Sequence, residues 1–105
     1  FCMGCANGIT GTMKNLIFMK ESMDELCPGS TWSCFGVGHS ALTMLYGAVA
    51  LGGHIRVGME DNVMYARGML ADSNAQFVER AARVSREFGR EVATSNDTRE
   101  ILGLK

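Results

Sequence analysis

The sequence has no excess of charge of either sign and no long apolar run. Ten lysines and arginines are balanced by eleven aspartates and glutamates, which gives a formal net charge of −1. This balance offers no electrostatic basis for binding nucleic acid or an anionic membrane. A membrane-spanning helix needs about 18 apolar residues, whereas the longest apolar stretch, 41–51, is short and contains Thr43, Tyr46 and Gly47. The chain also opens without the pattern of a secretory signal, so we expect a cytoplasmic protein that binds neither nucleic acid nor a membrane.

Cysteine is scarce, and its spacing leaves two interpretations open. Cys2 and Cys5 form a Cys-x-x-Cys motif, which is the spacing of a redox pair or of half a zinc site. Cys27 and Cys34 do not form a second close pair, and a disulfide framework is not expected without a signal peptide. The main expectation is that all four are small buried residues of a reduced protein. A thiol module that uses Cys2 and Cys5 for redox chemistry or metal binding is the alternative.

The hydrophobic pattern predicts strands and helices in alternation. Strands are expected near 1–6, 31–37 and 54–60, and helices near 13–26, 41–51, 74–88 and 95–102. The segment 62–71 is predicted to be a loop. Each helix is preceded by a candidate N-cap residue, and Gln76 is expected to complete a capping box with the third of them. These caps are Thr12, Ser40, Ser73 and Thr94.

The third helix is predicted to bury one small-residue face, and the second helix carries no charge and should be largely buried. The face predicted for the third helix consists of Ala75, Val78, Ala81, Ala82 and either Ser85 or Phe88.

This order of elements is that of an α/β fold with parallel strands. Three parallel strands cannot close a barrel, and a complete (β/α)8 barrel takes about 250 residues. An open sheet of three strands would also leave one face uncovered. We therefore expect residues 1–105 to form a single partial domain of a larger barrel, with an exposed inner face.

The stretch 52–62 contains the best candidate site. Along the predicted strand, Ile55 and Val57 point to one face, whereas Arg56 and Glu60 point to the other, and Asp61 follows at once. Charges on a covered face must either pair or serve a function. A structural ion pair is the alternative to a functional site.

Three segments resemble one family of enzymes. They are GGHIRVGMEDNVMY (52–65) with the residues that follow it, MGCANGITGTMKNLIFM (3–19) and TWSCFGVG (31–38). Together they are similar to the C-terminal end of the β-keto acid cleavage enzymes, whose prototype is the 3-keto-5-aminohexanoate cleavage enzyme. The resemblance covers essentially the whole chain, and the RVGxEDN motif is its most specific part. It implies a zinc-dependent TIM barrel, of which this chain would supply the last three βα units.

The resemblance also implies a reaction and roles for three residues. A β-keto acid and acetyl-CoA would be converted to acetoacetate and a new CoA thioester. Glu60 matches the family's zinc ligand, Asp61 matches its general base, and Arg56 matches the arginine that partners the base. The zinc ion would polarise the oxygens of the substrate as a Lewis acid. The two histidine ligands of the family have no counterpart here, so we expect the chain alone to be inactive.

Other residues at the predicted strand ends are candidates for substrate contact. His39 follows the second strand, and we treat it as a specificity contact. Asn7, Gly8, Gly36 and Gly38 end their strands at the same edge and could admit the substrate or the CoA phosphates. His54 lies at the other end of its strand, where a role in stability is expected. A homo-oligomer is expected from the family, and a non-catalytic barrel segment remains a further alternative.

Overall fold

In the computed structural model, which describes residues 1–105, strands and helices alternate as the sequence predicts. The strands of the main sheet are β1 (Cys2–Met3), β2 (Ser33–Gly36) and β3 (His54–Ile55), and a hairpin of β4 (Met64–Ala66) and β5 (Met69–Leu70) follows them. The helices are α1 (Met13–Leu26), α2 (Ala41–Ala50), α3 (Asn74–Glu87) and α4 (Ser95–Ile101), and a 3-10 turn (Gly38–Ser40) precedes α2. None of these helices is long and apolar enough to cross a membrane.

The main sheet is parallel, with the order β1-β2-β3. Cys2 is paired with Phe35, and Cys34 with Ile55. Because side chains alternate along a strand, Met3 and Cys34 point towards the helices, whereas Cys2, Phe35 and Arg56 share the opposite face. The first two are buried, and the other three are partly or fully exposed. The α/β class with parallel strands is therefore confirmed, and one face of the sheet has no covering layer.

The core lies between the sheet and α1 and α2. Gly36 allows this close packing, because a Cβ there would lie 2.6 Å from the carbonyl oxygen of Ser40. The main cluster consists of Met3, Leu16, Cys34, Met44 and Ala48. A second cluster joins α2 to α3 and consists of Leu45, Val49, Ala81 and Val84. The prediction that α2 is largely buried is thus confirmed only in part. Five of its residues are buried, and four are exposed, namely Leu42, Thr43, Tyr46 and Ala50.

The predicted third strand, 54–60, is too long. Its ladder with β2 ends where Arg56 N–H donates to Cys34 O, and the chain then turns. Asp61 and Asn62 both donate their backbone N–H groups to the carbonyl of Gly58, at 3.2 Å each. The predicted loop 62–71 is also wrong in part, because it contains the β4–β5 hairpin. The alternation of Val57 and Met59 therefore marks an extended segment entering a turn, not a continuing strand.

The buried face predicted for α3 is correct at Ala81 and wrong at Ala75, Val78 and Phe88, while Ala82 and Ser85 are half-buried. The helix buries Phe77, Arg80, Ala81 and Val84, while Val78 is 56% exposed. These four residues follow the spacing i, i+3, i+4 and i+7, which defines one face of a helix. The buried face includes a phenylalanine and an arginine. Burial of their large apolar surfaces contributes more free energy than burial of the small alanines on the predicted face.

Two of the four predicted helix caps are made by the side chain. Asn15 N–H donates to Thr12 Oγ1, and Thr94 forms a complete capping box with Asp97. The side chain of Ser73 makes no capping bond, and the return half of the box is also absent, because Gln76 bonds to Asp72. Ser40 makes none either, since its hydroxyl donates to Val37 O at 2.8 Å.

Candidate active site

Arg56 binds both carboxylates that follow β3. Its Nε donates to Asp61 Oδ2 at 3.0 Å and its Nη2 donates to Asp61 Oδ1 at 2.7 Å. The same Nη2 donates to Glu60 Oε2 at 2.8 Å. Paired donors in this fork give a bidentate arrangement that fixes the carboxylate in one orientation. The three residues therefore converge, as the enzyme interpretation requires, and Arg56 pairs most closely with Asp61.

The guanidinium of Arg56 also lies on the ring of Phe35, with its Cζ 4.3 Å from the ring centroid. A cation over an aromatic face is held by the ring quadrupole. The hydrogen bonds to Asp61, followed by the nearby charges, raise the pKa of Arg56 above its usual value. The arginine is thus a fixed cation that couples β2 to the turn after β3.

Asp61 and Glu60 are adjacent but differ in environment. The side chain of Asp61 is 8% exposed, whereas that of Glu60 is 85% exposed. The carbonyl of Asp61 accepts from Gly38 N at 2.8 Å, which ties the turn to the end of β2. Met59 N donates to Asn74 Oδ1 at 2.7 Å and ties the same turn to the start of α3. Asp61 is therefore held on three sides, while Glu60 remains open to a ligand.

A cavity of about 820 Å³ opens beside these residues. Its wall includes Arg56, Glu60 and Asp61 together with the predicted contacts Gly36, Gly38 and His39. Asn7 and Gly8 do not line it; they lie in the exposed turn that follows β1. The structure therefore brings six of the eight predicted site residues to one cavity and leaves two outside. Their chemical roles stay predictions.

Sequence reasoning missed Tyr65 and Arg80, which also line this cavity. Arg80 is 9% exposed, makes no ion pair and lies with its Cζ 3.4 Å from the centroid of Tyr65. The guanidinium of Arg80 lowers the pKa of Tyr65, first through its close approach to the tyrosine side chain and then through its positive charge. The signal that could have found Arg80 is its helical spacing from Phe77, Ala81 and Val84.

The four cysteines are all free, but only Cys34 is buried. Burial raises the pKa of Cys34 to about 11, so it is an inert apolar residue of the core. The prediction that all four cysteines are buried is therefore wrong for Cys2, Cys5 and Cys27. The sulfur atoms of Cys2 and Cys5 lie 3.0 Å apart in an exposed turn.

The residues of this chain do not form a zinc site by themselves. No three histidine, cysteine, aspartate or glutamate side chains converge to hold a metal ion. His54 lies at the start of β3 in a second cavity, of about 950 Å³, which contains neither Glu60 nor Asp61. A structural zinc site has four protein ligands and a catalytic one has three, so Glu60 cannot hold a zinc ion by itself.

The sequence of the chain is similar to a known family and to several curated proteins. A family model described as beta-keto acid cleavage enzyme matches residues 1–104. The chain is 46% identical over 97 residues to a 3-keto-5-aminohexanoate cleavage enzyme of Fusobacterium nucleatum, covering 92% of this chain and 35% of that protein. It is 40% identical over 104 residues to a 3-oxoadipate:acetyl-CoA acetyltransferase of Cupriavidus necator, covering 99% and 37%. A 3-dehydrocarnitine:acetyl-CoA trimethylamine transferase of Rhizobium meliloti is 33% identical over 103 residues, covering 98% and 33%. The chain thus spans little more than a third of the length of these curated relatives.

Proposed function

The chain belongs to the β-keto acid cleavage enzyme family, and from this premise we propose that it forms part of an enzyme that converts a β-keto acid and acetyl-CoA to acetoacetate and a new CoA thioester. Two of these relatives are named as transferases that use acetyl-CoA, one with 3-oxoadipate and one with 3-dehydrocarnitine, which supports this reaction. The observation that carries the proposal is the bidentate pair of Arg56 and Asp61 beside the cavity.

Asp61 acts as the general base in this proposal, and Arg56 orients it. A carboxylate has about four lone-pair sites, and the two bonds from Arg56 occupy only two of them. A free lone pair can accept a proton from a carbon next to a carbonyl group, which begins carbon–carbon exchange. The low exposure of Asp61 supports this role, because a base that is shielded from water acts on a bound substrate.

The remaining site residues are proposed to bind the substrate or complete the site. Gly36, Gly38 and His39 line the cavity, and at Gly38 the position of a side chain is open space. Asn7 and Gly8 have weaker support, since the cavity does not reach them. Glu60 would supply one ligand of a zinc ion whose other ligands come from outside this chain.

We also propose that β1, β2 and β3 are three neighbouring strands of a TIM barrel. The parallel order of the strands supports this, and so does the open face that carries Cys2, Phe35 and Arg56. The candidate site lies at the C-terminal ends of the strands, where such barrels place their active sites. The rest of the barrel would cover the open face, and the chain alone would be inactive. The cytoplasmic location and the homo-oligomer expected from the sequence stay predictions.

A chimaera tests the proposal. In the Fusobacterium nucleatum relative, the matching third is replaced by this chain, and acetoacetate formation is measured with acetyl-CoA and a panel of β-keto acids. We expect activity in the chimaera and none in the isolated chain. Asp61→Asn should lower the rate by at least about 100-fold, because general bases contribute roughly 10² to 10⁴.

The matched control is Asp72→Asn, which changes an exposed aspartate outside the cavity in the same way. Circular dichroism checks that each protein is folded. A folded chimaera that forms no acetoacetate with any substrate of the panel contradicts the proposal. Equal rates for Asp61→Asn and the unchanged chimaera contradict the role of Asp61.

A further inference from the structure

The turn after β1 places two thiols side by side. The sulfur atoms of Cys2 and Cys5 lie 3.0 Å apart, and both residues are exposed. The turn is fixed by its own backbone, because Gly4 N donates to Ile9 O at 2.8 Å and Gly8 N donates to Cys5 O at 3.1 Å. Gly4 adopts φ +85°, which only glycine adopts readily. The close approach of the sulfurs thus follows from the fold of the turn and not from chance rotamers alone.

The thiol pair lies on the same face of the sheet as the candidate active site. Cys2 is paired with Phe35 across β1 and β2, and Phe35 carries the guanidinium of Arg56 on its ring. The negative charge of Asp61 is close enough to contribute to the raised pKa of Cys2, after the larger effects of the Cys5 hydrogen bond and of burial. The two cysteines thus lie near the ion pair of Arg56 and Asp61, but they make no hydrogen bond to either residue.

We propose that Cys2 and Cys5 form a reversible dithiol–disulfide couple, which makes this turn a redox site beside the candidate active site. A disulfide requires the sulfurs to approach to about 2.05 Å, which is roughly 1 Å closer than in the reduced pair. The pair needs no third protein group. It lies at the C-terminal end of β1, which is the end where the proposed barrel keeps its active site open to small molecules, so completion of the barrel leaves the pair within reach of a small disulfide.

The oxidant is a low-molecular-weight disulfide, RSSR. The thiolate of one cysteine attacks a sulfur of RSSR, the S–S bond breaks, and one RS⁻ leaves and takes up a proton. The thiolate of the second cysteine then attacks the protein sulfur of the mixed disulfide and displaces the second RS⁻. In total, two protein thiols and RSSR give one protein disulfide and two RSH, so the protein loses two hydrogens and RSSR is reduced.

The other cysteines supply internal controls. Cys27 is exposed with no sulfur near it, so it should form only a mixed disulfide, and Cys34 is buried and should not react. In a Cys27→Ser background, the chain is incubated with oxidised and reduced glutathione at fixed ratios, trapped with an alkylating reagent, and analysed by intact mass. We expect the loss of two hydrogens without a retained glutathione. In the same background, Cys2→Ser and Cys5→Ser should each retain one glutathione.

The contribution of the fold is measured by repeating the titration in concentrated urea. The concentrations of oxidised and reduced glutathione are fixed. The ratio of protein disulfide to protein dithiol under these conditions then gives the effective concentration of one thiol towards the other. We expect this value to be at least about 10-fold higher in native buffer, since the folded turn holds the sulfurs together. Equal values in buffer and urea, a glutathione that stays bound to the Cys27→Ser chain, or no reaction at all would each overturn the proposal.

Discussion

Arg56 and Asp61 form a two-point contact across a turn, with Nε to Oδ2 at 3.0 Å and Nη2 to Oδ1 at 2.7 Å. Residues five apart on a straight strand would point to opposite faces and could not meet in this way. The turn that begins at Gly58 changes the course of the chain and presents the carboxylate to the guanidinium. The pair therefore depends on the end of β3, and the geometry that suits catalysis arises from the break in the strand.

Replacing Arg56 by lysine should keep the charge and lose the two-point contact. Lysine presents a single ammonium group, so it cannot hold both oxygens of Asp61 in one plane. Hydrogen bonds to charged groups contribute about 1.5 to 3 kcal/mol, which corresponds to a fall of roughly 10- to 100-fold in the kcat of the chimaera. Steady-state rates of acetoacetate formation measure this effect.

The matched control for this variant is Arg83→Lys. Arg83 lies on the exposed side of α3 and pairs with Glu87 at 3.5 Å, outside the cavity. The Arg83→Lys variant should leave the kcat of the chimaera unchanged. A kcat for Arg56→Lys equal to that of this control would show that the bidentate geometry does not matter for the reaction.

A second prediction concerns the close packing at the end of β2. In Gly36→Ala, the new Cβ would meet the carbonyl oxygen of Ser40 at 2.6 Å and Met44 Cγ at 2.8 Å. Because the first neighbour is backbone, the contact cannot be relieved by a rotamer change. Overpacking of this kind costs about 1 to 3 kcal/mol, which urea unfolding followed by circular dichroism measures.

Gly8→Ala is the control, because the nearest atom to its new Cβ would be 3.6 Å away, an ordinary contact distance. We expect its free energy of unfolding to change by less than about 0.5 kcal/mol. If both alanine variants lost the same stability, the loss at Gly36 would not come from the packing of β2 against α2, because Gly8 lies outside that contact.

Local signals in the sequence predicted the helices well, since each signal acts within a few residues. The cap at Thr12 and the capping box of Thr94 with Asp97 need no information from the rest of the chain. The capping box expected at Ser73 failed because Gln76 has a competing partner, Asp72, that is equally near in sequence. Spacing alone does not decide between two local partners of similar geometry.

Features that depend on tertiary contacts were harder to predict from the sequence. The alternation in 55–59 predicted a strand to residue 60, but a strand needs a partner, and β2 ends at Gly36. The hairpin after it could have been found, since Gly68 at φ +77° closes a short turn between Ala66 and Met69. The family resemblance supplied the three central site residues, yet it carried no information about Tyr65 and Arg80.

A third prediction tests the electrostatics of the last helix cap. Hydrogen bonds from the side chain and the backbone of Thr94 lower the pKa of Asp97 below its usual value. A lowered folded-state pKa stabilises the helix above the unfolded-state pKa of about 3.9, and this contribution is lost as the pH falls through the folded-state value. An NMR titration of the Asp97 carboxyl carbon should therefore show a midpoint below about 3.9.

The variant Thr94→Ala removes the hydroxyl and should raise that midpoint towards the ordinary value. The same titration of the chain unfolded in urea gives the reference midpoint. If the midpoint of Asp97 did not move in Thr94→Ala, the hydroxyl of Thr94 would not contribute to the lowered pKa.

The final prediction concerns Tyr65 and Arg80, which both line the cavity. Arg80 and, to a smaller extent, Arg83 lower the pKa of Tyr65 below its usual value. In Tyr46→Phe, Tyr65 is the only tyrosine, so the ultraviolet absorbance of phenolate should rise with a midpoint below about 10. Arg80→Gln removes the positive charge and should raise this midpoint. Arg80→Lys keeps a charge and should retain part of the lowering, which distinguishes electrostatics from a general loosening of α3. A midpoint at or above about 10 that does not move in Arg80→Gln would mean that Arg80 stacks on the ring of Tyr65 without acting on its hydroxyl.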